Sequence, residues 1–196
     1  MEHEDLDSRD KILWATEELM WEYGIRETTT KLIAQKAGVN SVTIFRIFKN
    51  KEKLFLEVIG KVVSTELEKL ETLLQKRFDS LDSFFRELNE AFSATLLTAE
   101  KTFSELMKEK MASDSVFFKE VSKATYQWVS MIAAKFEELN RQGLLRRVDF
   151  MDLSLLYNNI FLGAPMLRKC SDAFSGKSSQ RSIEDMTQIL IEGLRP

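Results

Sequence analysis

Between Thr28 and Lys51 the sequence brings together eight side chains suited to holding a polyanion, Thr28, Thr29, Lys36, Ser41, Thr43, Arg46, Lys49 and Lys51, with apolar Val42 and Phe45 set among them as further candidate contacts. Hydroxyls and ammonium groups bond phosphate oxygens, and a guanidinium can bond both major-groove acceptors of guanine. From Gly24 to Lys53 seven basic residues stand against two acidic ones, a balance of +5 in a chain of net charge −3, so the rest sums to −8. A cationic island on an acidic chain is what phosphate contacts require, because each Lys or Arg set against the backbone releases counterions. For charge alone, a solvated face of mixed sign is the alternative.

These side chains need a scaffold, and the local pattern supplies one. Leu32, Ile33 and Ala37 give the segment Thr30–Ala37 an apolar stripe, and Gly38 follows as a stop able to take positive φ. Asn40 then caps a second helix, Ser41 to about Phe48. Ile44, Ile47 and Phe48 are expected to pack inward, while Ser41, Val42, Thr43 and Arg46 are the side chains most able to face outward. A helix this short must lean on its neighbours. Helix, glycine-containing turn and helix together have the spacing of a helix-turn-helix, whose second helix lies in the DNA major groove. Arg46 is the leading candidate for base reading, with a surface ion pair as the alternative.

From Lys11 to Leu56 the chain resembles the N-terminal domain of the TetR family of transcriptional regulators. The matching pieces are KILWATEELMWEYGI, TTTKLIAQKAGV and NSVTIFRIFKNKEKLF, which cover about a quarter of the chain. The resemblance implies an all-α fold: a helix-turn-helix DNA-binding domain over residues 1–54, joined by a long helix to a ligand-binding and dimerisation domain over 55–196. It further implies phosphate contacts at Thr28 or Thr29, at Thr43 and at Lys51. Physical chemistry agrees for Lys51, since a lysine in a helix's first turn opposes the helix dipole and points to a function. Many relatives carry Gly where Val42 stands and Tyr where Phe45 stands, and often Tyr and His at Arg46 and Ile47. Phe45 cannot donate a phenolic hydrogen bond, which leaves contact with a sugar or a thymine methyl, and no relative's operator sequence can be borrowed.

The remainder of the 196-residue chain reads as helix. Seven glycines, two prolines, 44% hydrophobic and 30% charged residues favour long amphipathic helices over a sheet fold. A first helix from Asp7 or Ser8 to Tyr23 carries Ile12, Ala15, Leu19, Met20 and Tyr23 inward, with Trp14 and Trp21 expected to pack on the second domain. A fourth helix, capped by Asn50, runs to about Gln75. Further apolar stripes occupy 79–98, 101–111, Asp114 to Gly143, Asp152 to Cys170 and Ser182 to Leu194, with Gly163 and Pro165 expected to kink or end the fourth of these.

By the resemblance, the middle segments hold a small apolar or aromatic ligand. Phe92, Phe103, Met107, Met111, Phe118, Tyr126, Trp128, Tyr157 and Phe161 are candidate lining, large and adaptable side chains that are also ordinary core. The last two helices would join those of a twin in a homodimer through Leu153, Leu156, Ile160, Met186, Ile189 and Leu190, docking on the same subunit being the alternative.

Enzyme classes fare poorly. His3 is the only histidine and lies in the N-terminal tail, which excludes a His-ligated metal or a Ser/His/Asp triad inside a domain, and no isolated carboxylate pair suits acid–base work. No metal or cofactor is expected. Cys170 is the single cysteine, the start is acidic rather than signal-like, and no apolar run could span a bilayer, so a cytoplasmic location is expected. The reading is thus a homodimeric repressor on a double-stranded DNA operator. The alternative is a helical hydrophobe carrier without specific DNA binding.

Overall fold

Short polar caps and glycines set the element boundaries. The computed structural model describes residues 6–92, 116–170 and 179–196, and these fold as α-helices joined by turns, with no strand among them. In chain order the helices are α1 (Ser8–Tyr23), α2 (Thr30–Ala37), α3 (Ser41–Phe48), α4 (Lys51–Leu74), α5 (described over 81–92), α6 (Val116–Arg141), α7 (Phe150–Cys170) and α8 (Ser179–Leu194). Among the described residues no helix is long and apolar enough to cross a membrane.

The described residues divide into two compact units, one containing 6–65 and the other 66–92 and those from Val121 onward. In the first, Asp7 caps α1 by accepting from the amides of Arg9 and Asp10 at 2.8 and 2.9 Å. Ile12, Leu13, Ala15, Leu19 and Met20 of α1 pack with Ile33, Ala34 and Ala37 of α2, Ile44 and Phe48 of α3, and Leu54, Phe55, Val58 and Ile59 of α4. Thr16 is buried among them and donates its hydroxyl to the Ile12 carbonyl at 2.6 Å, so the position costs no unpaired polar group. Tyr23 is 51% exposed and not part of the inward stripe, because α1 ends there and Gly24, at φ 88, turns the chain away. Trp14, expected against the second domain, packs on this first core with the Lys36 ammonium 5.5 Å from its ring centroid.

The second unit is built on aromatic rings. Phe84, Phe85, Phe136, Tyr157 and Phe161 are each buried to within 1% and meet at tilted or edge-on angles, with centroids 5.2 to 5.7 Å apart. Lys135 is only 4% exposed, yet its ammonium bonds the Lys76 carbonyl at 2.8 Å and both Glu138 oxygens at 3.0 Å. The burial is thereby compensated. After α6, Gly143 at φ 77 reverses the chain, and the Arg146 amide bonds the Leu194 carbonyl at 3.0 Å, fastening the end of α8. Gly163 and Pro165 do not end α7, which runs unbroken from Phe150 to Cys170. A proline removes a single ladder donor, and the turns before it are anchored by the buried Leu153, Tyr157 and Phe161. The segment 101–111 and the loop 171–178 lie outside the described residues.

Candidate nucleic-acid interface

The turn between α2 and α3 is closed by backbone bonds and side-chain caps. Thr29 caps α2 by accepting from the Leu32 amide at 3.2 Å. At the other end Gly38 sits at φ 66 and ψ 31, which lets the Val39 amide reach back to the Ala34 carbonyl at 3.0 Å. Asn40 then accepts from the Val42 amide at 2.9 Å and starts α3. With both ends of the turn fixed, the face that α3 presents is set by its two buried anchors, Ile44 and Phe48, at 1% and 4% exposure. Ile47 is half-buried against the same core. Val42 and Phe45 stand 71% and 50% exposed, Arg46 is exposed, and Ser41 and Thr43 are half-buried at the flanks. Leu32, expected in the inward stripe of α2, is instead 39% exposed.

The cations fall into two groups. Arg46 and Lys49 are exposed and form no ion pair among the described residues. Lys49 also closes α3 at φ 66 and ψ −47, the one positive φ outside glycine among the described residues. A side chain retained where the backbone favours glycine costs on the order of 1–3 kcal/mol, an outlier that invites a functional explanation. Lys51, half-buried, is aimed by its surroundings: its ammonium lies 3.3 Å from the Ile25 carbonyl and 4.8 Å from the Phe55 ring centroid. Asn50 accepts from the Lys53 amide at 2.8 Å and so fixes the turn of α4 that carries Lys51. Lys36, by contrast, is partly neutralised, 3.8 Å from Glu18 and over Trp14.

Thr28 requires a correction. It is fully buried, and its hydroxyl is donated to the Gly24 carbonyl at 2.7 Å, so it cannot reach a phosphate. Of three consecutive threonines only Thr29 is the cap, and Thr28 braces the turn that follows α1. Two positioning groups carry no local sequence signal. The Ile25 carbonyl holds Lys51 from 26 residues away. Arg9 pairs with Glu57 and lies 5.0 Å from the Phe48 ring centroid, tying the start of α1 to α3 and α4. That pairing engages the Arg9 guanidinium.

In the second unit, the candidates for ligand lining separate by placement. Phe92, Tyr157 and Phe161 are buried, and Trp128, half-buried, meets Phe92 edge-on with centroids 4.2 Å apart. The Trp128 indole N–H is buried without a hydrogen-bond partner among the described residues. Tyr157 donates to Asn89 Oδ1 at 2.7 Å, and burial holds its phenol pKa well above the ordinary tyrosine value. Tyr126 is 68% exposed and does not belong to this cluster. Phe103, Met107 and Met111 lie outside the described residues, as does the side chain of Phe118.

Of the candidate dimer contacts, Leu153 is buried in its own subunit's core and is not free to meet a twin, because its turn of α7 faces the aromatic cluster. Ile160 and Leu190 pack partly on that core. Leu156, Met186 and Ile189 are exposed, together with Met151 and Leu155, which the sequence stripe did not single out.

Residues 12–58 match the family model described as bacterial regulatory proteins, tetR family. The uncharacterized HTH-type transcriptional regulator YvkB of Bacillus subtilis is 54% identical over 44 residues, 22% of this chain and 23% of that protein. A second regulator of the same organism, the uncharacterized HTH-type YhgD, is 26% identical over 148 residues, 74% of this chain and 75% of that one. Among solved structures, a transcriptional regulator from Saccharomonospora viridis in complex with choline superimposes with TM-score 0.80 at 18% identity, covering 95% of this chain and 97% of that one. At that identity the superposition speaks for the fold, whereas the family model falls on the helices that build the basic, outward-facing α3. Residues 12–58 are thus a DNA-binding domain of the TetR family of transcriptional regulators, and the chain as a whole has the fold of such regulators.

Proposed function

We propose that this regulator is a cytoplasmic, homodimeric repressor that grips a near-palindromic DNA operator through α3 and lets go when a small apolar or aromatic ligand enters its second unit. The reading domain would comprise residues 1–54 with the α4 turns packed beneath them, and residues beyond would serve ligand and twin. One observation carries the proposal: α3 buries Ile44 and Phe48 while leaving Val42, Phe45 and Arg46 in solvent, beside the exposed Lys49 and the aimed Lys51. In this reading Arg46 bonds guanine, and Thr29, Ser41, Thr43, Lys49 and Lys51 hold the backbone.

Exposed apolar side chains on α7 and α8 support the twofold arrangement: Leu155 and Leu156 at 47% and 51%, Met186 and Ile189 at 43% and 71%. Water-facing leucine and isoleucine on adjacent helices suit an isologous interface. Two copies would set their α3 helices about 34–36 Å apart, one helical turn of DNA. For the ligand, the support is the Trp128 N–H, unpartnered among the described residues and lying beside Phe92, a hydrogen-bond donor set in an apolar surround. The Saccharomonospora viridis regulator was solved with choline, and aromatic rings bind such cations, so that ligand belongs in the same screen. Release follows if the ligand prefers a dimer whose α3 spacing does not match the groove.

The test is a pair of measurements on the full chain. Sedimentation should give a dimer, converted to monomer by Ile189→Asp, and the dimer should be retained on operator DNA and released by the inducing compound. A chain that binds apolar compounds yet shows no DNA retention at low salt would be a carrier, and the proposal would fail.

A further inference from the structure

The outward face of α3 is more apolar than phosphate contact demands. Of its five large apolar residues, only Ile44 and Phe48 are fully withdrawn from water, while Val42 and Phe45 are 71% and 50% exposed. They stand three residues apart, and Arg46 stands four from Val42, so the three share one side of the helix. What surrounds them is cationic: Arg46 and Lys49 are exposed nearby, in a stretch of local balance +5. A covering surface must therefore be anionic at its rim and apolar at its floor. The major groove meets that description at one kind of base only, because thymine alone places a methyl group there; guanine, cytosine and adenine present only donors and acceptors.

We infer that Val42 and Phe45 are specificity-determining residues that contact thymine 5-methyl groups in the operator, beside the guanine bonded by Arg46. This rests on the proposed DNA reading and gives it a base composition. Three to four helical residues advance about 4.5–6 Å along the axis. Base pairs are spaced about 3.4 Å apart, so each half-site carries thymine within one or two base pairs of that guanine.

The experiment begins with duplexes selected from a random pool by the wild-type protein. Each half-site thymine is then replaced singly by deoxyuridine, which pairs identically and lacks only the methyl group. At one or two positions per half-site, affinity should fall about fourfold, the effect of exposing one buried methyl group. Deoxyuridine outside the half-sites should change nothing. In Val42→Ser and Phe45→Ala, checked for unchanged helicity, the sensitivity at the matching position should disappear. Indifference to every half-site uridine, or selected half-sites with no thymine within two base pairs of the guanine that Arg46→Ala ceases to discriminate, would overturn the inference while leaving DNA reading intact. Absence of any sequence-selective binding would instead sink the DNA reading itself.

Discussion

Replacing Lys49 by glycine should make the protein more stable and a weaker DNA binder at once. The backbone there sits at φ 66 and ψ −47, and the amide is already used in closing α3 on the Phe45 carbonyl at 2.9 Å. Glycine releases strain on the order of 1–3 kcal/mol. It gives back about 0.5–1 kcal/mol through the freer unfolded chain. The net gain is about 1 kcal/mol, which for a chain of this size raises Tm by about 2–4 °C. On DNA, losing one phosphate contact per subunit lowers the slope of log K against log salt by about 0.9 per contact. Over a fourfold rise in salt, that is about 3.5-fold less loss of affinity per contact than in the wild type. Lys49→Ala separates the two effects, since it removes the charge and keeps the strain. Thermal melts followed by circular dichroism, and anisotropy titrations from 50 to 200 mM salt, are the assays. A Lys49→Gly variant that melts lower would refute the backbone argument, and an unchanged salt slope would refute the phosphate contact.

Lys51→Met should likewise flatten the salt dependence on operator and random DNA alike, and Lys51→Arg should restore it, as seen in the same titrations. Arg46→Ala should weaken operator binding by about 1–3 kcal/mol and leave random DNA nearly untouched. Ile44→Ala, at a side chain 1% exposed, should cost about 2–5 kcal/mol of the first unit's stability in denaturant unfolding and loosen operator binding with it. The buried Tyr157 titrates above the unfolded tyrosine value, so the unfolded chain loses its proton first and stability falls as pH rises past the ordinary tyrosine range. Tyr157→Phe should remove that part of the alkaline slope in pH-dependent melts.

Much of this molecule could be read from local signals because its boundaries are chemical. Asp7, Thr29 and Asn40 cap helices, Gly24 and Gly38 end them at positive φ, and each acts within four residues of its own position. The outward face of α3 follows from the same logic, since three- and four-residue spacing picks out its anchors. What eluded the sequence depends on partners far away in the chain. Thr28 and Thr29 have the same chemistry, and only the fold decides that one seals a turn while the other caps a helix. Lys36 looks like its basic neighbours, yet Glu18 and Trp14 on α1 engage it. On α7 apolar residues occupy both sides, so periodicity could not separate Leu153, which packs inside its own unit, from Leu155 and Leu156, which face water.

The most direct measurement of whether α3 reads sequence is selection of bound duplexes from a random pool by the wild-type protein and by Arg46→Ala in parallel. Two inverted half-sites whose centres lie about 10 base pairs apart should emerge with the wild type, and the variant should relax preference at one guanine in each. Recovery of the same motif by both proteins, or of no motif at all, would contradict the assignment of base reading to this helix.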